Sequence, residues 1–309
     1  MIESDARILN YRKPLDYTEL IKALEIFSER YPMLSFSYIG ESILGRPIPL
    51  ITLGTGNKKI LYVAAHRATE WITSVLLLRF INEFCEFLCK ESLIYRTSLP
   101  LLCEQYTIHV IPMLNPDGVD YQINGVKKDN PFYERLIKMN GESDDFSHWQ
   151  ANARGVDLAC NYTEGFEKDK KSEWELGFSE GAPARYPGEC PESEPEVGHL
   201  CNFIRFHEGL RLILTLHTAG EKMIYQSAGK TPGGATAIAR RISALSGYQI
   251  TNDTDIAENG SLGAWCIRQL NLPTFTLACG KGENPLPISC YFPIYASLRE
   301  VFFTIPKMV

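Results

Sequence analysis

A chain of 309 residues that is 45% hydrophobic and 22% charged can bury a sizeable core and keep a soluble surface. Its formal charge of −6, without a concentrated basic patch, argues against nucleic acid as the main partner. No run approaches the roughly 20 apolar residues of a membrane span. The first residues contain no apolar signal-peptide core, and the nine cysteines are scattered without CxxC spacing, so reduced thiols in a cytoplasmic protein are expected.

Taken in order, Thr18 to Tyr31 has helical period and is stopped by Pro32. Residues 35–40 and 47–52 alternate as paired strands around a Gly45-Arg46 turn. The run KILYVAAH, Lys59 to His66, is almost continuously apolar and reads as a central strand, followed by a long helix from Trp71 to Cys89. Tyr106 to Met113 is a second buried strand, closed by a turn at Asn115-Pro116-Asp117-Gly118. Residues 120–190 are polar and irregular, the kind of segment that shapes a cleft. Ser193-Glu194-Pro195-Glu196 reads as a capping box opening a helix to His207. A strand at 211–216 ends on His217, and helices at 233–246 and 261–270, a strand at 274–279 and a helix from Ser289 complete the chain. The alternation predicts one α/β domain, residues 1–309, with helices on both faces of a sheet.

Two chemical signals sit where α/β sheets place their sites, at strand ends. One is His66-Arg67-Ala68-Thr69-Glu70-Trp71 and the other is His217. Two histidines and a glutamate would suit a catalytic zinc with an open position for water, although a His and a Glu beside a helix start also serve as caps and packing residues.

The order of motifs is more specific than either signal. His66…Glu70-Trp71, Asn115-Pro116-Asp117-Gly118, Arg154 with Asp157-Leu158…Asn161-Tyr162, Arg185-Tyr186, Ser193-Glu194-Pro195-Glu196, His217 and Gly280…Glu283-Asn284-Pro285 follow in turn. This series resembles the M14 family of zinc carboxypeptidases, and is similar to bacterial members that cut γ-D-glutamyl–diaminopimelate bonds in cell-wall peptides. The resemblance implies a three-layer α/β/α fold around a mixed sheet of about eight strands. It also implies zinc as cofactor and a peptide or murein peptide as ligand.

Three motifs depart from what the resemblance implies. The family's first ligand, the His of His-x-x-Glu, falls on Arg67, and a guanidinium has no lone pair for a metal. His66 is one residue early, and strand alternation is expected to turn it away from Glu70 and His217. The late-strand Glu that moves the proton of zinc-bound water falls on Ala278. The pocket residues of Asp-Leu-Asn-Arg-Asn become Ala159 and Cys160, leaving Arg154, Asn161, Arg185 and Tyr186 as candidate ligand contacts.

The expectation is therefore a catalytically impaired binding protein, with the zinc that the resemblance implies either retained or lost and Arg67 pairing with Glu70. The alternative is an active zinc carboxypeptidase using His66, Glu70 and His217, with Glu221, Glu258 or Glu283 as base. A third reading makes Cys160 a nucleophile near His217.

Overall fold

A computed structural model describes residues 12–176, 180–251 and 261–309, with the side chains of residues 172–176 left out. The elements run α1 (Tyr17–Arg30), β1 (Ser35–Glu41), β2 (Pro47–Leu53), β3 (Lys58–Val63), α2 (Ile72–Cys89), β4 (Leu93–Ile94), β5 (Thr97–Ser98), α3 (Leu99–Gln105) and β6 (Tyr106–Ile111). Next come α4 (Pro116–Asn124), α5 (Tyr133–Met139), α6 (Phe166–Leu176), α7 (Pro195–Phe206), β7 (Leu210–Thr218) and β8 (Lys222–Ile224). The chain closes with α8 (Ala235–Ser246), β9 (Gln249–Ile250), α9 (Leu262–Leu270), β10 (Thr274–Cys279) and α10 (Tyr291–Thr304).

Eight strands form one mixed sheet in the order β1-β2-β6-β3-β7-β10-β8-β9. The four central strands, β6, β3, β7 and β10, run parallel, so their carboxyl ends open on one edge. Alternation along β3 divides the core. Ile60 and Tyr62 join one apolar cluster with Phe80, Phe84 and Phe302, while Leu61 and Val63 join another with Leu200, Ile204 and Trp265. Helices α2 and α10 cover the first face, and α7 and α9 the second. This is the expected three-layer α/β/α arrangement, and both faces of β3 being covered explains its unbroken apolar run.

Several elements differ from the sequence reading. Asn115-Pro116-Asp117-Gly118 opens α4: Asn115 accepts from the Gly118 N–H, and Pro116 occupies the first turn, where its missing N–H costs nothing. Gly118 is required there because a Cβ would lie 2.1 Å from the Ala151 carbonyl oxygen. The polar stretch of residues 120–190 contains helices α5 and α6.

The second face carries a histidine pair, one ring buried and the other half-buried. His109 on β6 and His207 after α7 bring their Nε2 atoms to 2.9 Å, and His109 Nδ1 meets Thr52 Oγ1 at 3.0 Å. Burial, then His207 and Lys59, push His109 down to about 4, and burial followed by Lys59 lowers His207. With folded pKa values below the unfolded value, the unfolded chain binds more protons in this window. Stability supplied by the neutral pair is present above the ordinary histidine range and is lost as pH falls toward 4. Thermal unfolding followed from pH 7 to pH 4 should show a loss of about 2 kcal/mol that His109→Gln flattens.

Candidate functional site

The residues singled out from the sequence converge at the carboxyl edge of the central strands. After β3 ends at Val63, Ala65 takes a positive φ of 50°, and a short 3-10 turn at Ala68–Glu70 leads into α2. This break brings Glu70, fully buried, against the end of β7. Glu70 Oε2 lies 2.9 Å from His217 Nδ1, and Oε1 accepts weakly from the Thr218 N–H at 3.4 Å.

The same break overturns the expected orientation of His66. Strand alternation no longer applies once the chain has left the strand, and the imidazole of His66 stands 5.1 Å from that of His217, centroid to centroid. Its Nε2 contacts the Tyr162 hydroxyl at 3.0 Å, while its buried Nδ1 has no partner among the described residues. Burial, then the neighbouring His217 and Arg67, hold the pKa of His66 well below the usual range, so the ring is neutral.

Arg67 reaches the cluster from the other side. Its Nε donates to both oxygens of Asp157, at 3.1 and 3.0 Å, and Nη1 lies 3.9 Å from Glu70 Oε1. The contact with Glu70 is longer than a hydrogen bond, and Asp157 is the main partner. Asp157 is fully buried and also accepts from the N–H groups of Ala159 and Arg185. Burial opposes the charge on Arg67, but Asp157 and then Glu70 outweigh it and raise its pKa. The sequence offered no signal for the Arg67–Asp157 pair, whose members lie 90 positions apart.

These donors do not make a ready zinc set. Two of the three candidate ligands, Glu70 and His217, spend facing atoms on each other, the third uses Nε2 on Tyr162, and a permanent cation stands beside the carboxylate. Among the described residues no three His, Cys, Asp or Glu side chains come together as a possible metal site.

The late strand adds no acid. Ala278 on β10 pairs in register with His217 and has no group to carry a proton. Of the alternative bases, Glu221 pairs with Lys281 at 2.8 Å, Glu283 is exposed on the loop after β10, and Glu258 lies outside the described residues. Asn284 braces the end of β7, accepting from the Thr218 hydroxyl at 2.7 Å and donating to its carbonyl at 2.9 Å. Cys160 is buried, and burial above all, with Asp157 next, pushes its thiol pKa well up, the opposite of what a nucleophile needs.

The four expected ligand contacts take different places. Asn161 is fully buried, and its amide nitrogen donates to Pro187 O, Cys190 O and Ser193 Oγ, while its oxygen accepts from the Glu194 N–H. It is a strut under the loop, with its amide nitrogen spent within the protein. Tyr186 is buried under the Lys170 ammonium, 5.0 Å above its ring. Arg185 is exposed, with a positive φ of 64°. Arg154, with 39% of its side chain exposed, donates to Glu194 and to the Ser193 carbonyl.

With this geometry in hand, comparison with known proteins gives the class. Residues 20–284 match the family model for zinc carboxypeptidase, peptidase M14, and the chain belongs to that family. It is 31% identical over 300 residues to gamma-D-glutamyl-L-diamino acid endopeptidase 1 of Lysinibacillus sphaericus, covering 96% of this chain and 73% of that protein. The structure of bovine thrombin-activatable fibrinolysis inhibitor in complex with tick carboxypeptidase inhibitor superposes with a TM-score of 0.70 at 20% identity, covering 97% of each chain. Murein-tripeptide amidase MpaA from Escherichia coli O157 superposes with a TM-score of 0.52 at 18% identity, covering 87% of this chain and 91% of that one. At these identities the two structures establish the fold alone.

Proposed function

We propose that this M14 protein binds a peptide or cell-wall peptide fragment in the family cleft without cutting it by zinc chemistry. The observation that carries this reading is the ion network in which Arg67 sits between Asp157 and Glu70 while Glu70 bonds His217. This reading takes Arg67 as a fixed cation at the sequence position where the resemblance expects a metal-binding imidazole. Ala278 opposite it removes the base, which for peptide hydrolysis must lie within reach of the attacking water. The ligand class is suggested by the relative from Lysinibacillus sphaericus, named as acting on gamma-D-glutamyl-L-diamino acid bonds.

A second reading, an active zinc carboxypeptidase using His66, Glu70 and His217, is favoured by one feature: the ring of His66 lies beside that of His217 with a free buried nitrogen. It needs the Glu70–His217 contact to open and an acid to replace Ala278. A single domain over residues 1–309 and a cytoplasmic setting belong to the same proposal. All nine cysteines are unpaired, and no helix among the described residues is long and apolar enough to cross a membrane.

The experiment is calorimetric titration with a γ-D-glutamyl–diaminopimelate peptide, paired with chromatography of the mixture after prolonged incubation. Binding that survives a chelator, with the peptide recovered intact, is the expected result. Release of diaminopimelate that stops on chelation would establish the second reading instead.

A further inference from the structure

The sheet register sets residues of the cleft in one row. Ala278 on β10 pairs with His217 on β7 on one side and with Lys222 on β8 on the other. Residues paired across neighbouring strands point to the same face, and alternation turns the next residue to the opposite one. Leu216, Leu277 and Met223 all join the apolar cluster of the first face. His217, Ala278 and Lys222 therefore project together from the second.

The middle of this row is nearly bare. Neighbouring strands lie about 4.8 Å apart, so the backbones of His217 and Lys222 stand about 10 Å apart across Ala278. The alanine methyl fills little of that width. Lys222 is half-buried, and its stem lies along the row: a Cβ placed on Gly220 would be 3.7 Å from Lys222 Cγ and Cδ and 3.9 Å from the Ala278 methyl.

The charges around the row favour an anion. The resemblance expects a glutamate at position 278, which would stand directly opposite Lys222 and offset its charge. Alanine leaves the lysine opposite a methyl group. Two carboxylates at this end of the sheet are committed elsewhere, Glu221 to Lys281 at 2.8 Å and Glu70 to His217 at 2.9 Å. Lys222 is itself engaged within the protein, but an ammonium carries several N–H donors and can take a further acceptor. Arg67, which follows β3 at the other end of the row, reaches solvent while its partners Asp157 and Glu70 are fully buried. A ligand lying along the row thus meets a cation at each border.

We infer that Lys222 is a specificity-determining residue of the cleft. Its ammonium takes a carboxylate of the ligand beside Ala278, so the cleft selects anionic peptides over the same peptides with their carboxylates amidated. The loss of the glutamate at position 278 then has a second consequence. It turns the place of a proton-moving carboxylate into one that receives a carboxylate from the ligand. That a peptide occupies this cleft rests on the proposed function.

The test is calorimetric titration with a γ-D-glutamyl–diaminopimelate peptide and with the same peptide carrying carboxamides in place of its carboxylates. The quantity read is the ratio of the two affinities, which cancels a general weakening of the cleft. The wild type should prefer the acid by about tenfold or more, and Lys222→Met should lower the ratio by about tenfold, the scale of one hydrogen bond between charged groups. Ala278→Glu gives an independent check. It restores a carboxylate opposite Lys222 and should lower the ratio in the same direction. An unchanged ratio in both variants, or a wild type that binds acid and amide equally, would overturn the inference while leaving the proposed function standing. A wild type that binds neither peptide would overturn both.

Discussion

Replacing Arg67 by methionine should destabilise the protein by about 3 kcal/mol, the order found when one partner of a buried ion pair is removed. The figure comes from what is left behind. Asp157 and Glu70 are both fully buried, and Arg67 is the one cation described beside either of them. Methionine preserves much of the stem packing, so the loss isolates the charge. One edge of the guanidinium reaches solvent, 28% of the side chain being exposed, which keeps the cost at the lower end of the range. Urea unfolding with an unchanged slope would read it directly. Arg67→Lys should recover less than half, because an ammonium cannot present the side-on Nε–H that reaches both Asp157 oxygens. A neutral outcome for Arg67→Met would mean that Asp157 is neutralised by some other group.

The second large effect is a gain. Arg67→His removes the cation and puts an imidazole three residues before Glu70, across from His217. With three donors in place of two, zinc should stabilise the variant by about 2.7 kcal/mol at a hundredfold excess over its dissociation constant, and leave the wild type unmoved. The thermal midpoint with and without zinc is the readout. Because the substitution also leaves Asp157 without its partner, the metal-free variant should melt below the wild type, so zinc acts as a rescue. An equal zinc-induced shift in wild type and variant would show that Arg67 does not block the metal.

The contrast between what the sequence foretold and what it hid has physical causes. β3 was legible because a strand covered on both faces must be apolar, and its run is unbroken from Ile60 to Val63, while β6 showed through Ile108, Val110 and Ile111 around Thr107 and His109. β8 and β9 were not, since strands of three and two residues carry no period and exist only through pairing with β10 and each other. The helix starting at Pro116 hid behind residues that favour turns and helix N-termini alike. The Ser193–Glu196 box failed because the helix is capped at Glu194, one residue later than the box requires, and the Ser193 hydroxyl is spent on the Glu194 carboxylate.

At the site, the approach of Glu70 to His217 and Arg67 followed from spacing and motif order. The Asp157 partner did not, nor did the turn of His66 toward His217. One depends on a contact across the fold, and the other on a backbone reversal at Ala65, a residue type that gives no warning of a positive φ.

The most direct test of the central claim is zinc stoichiometry of the purified wild type by native mass spectrometry after equilibration with zinc and removal of excess. The account predicts no bound zinc that depends on Glu70 and His217. One equivalent retained by the wild type and lost in both Glu70→Ala and His217→Ala would contradict it.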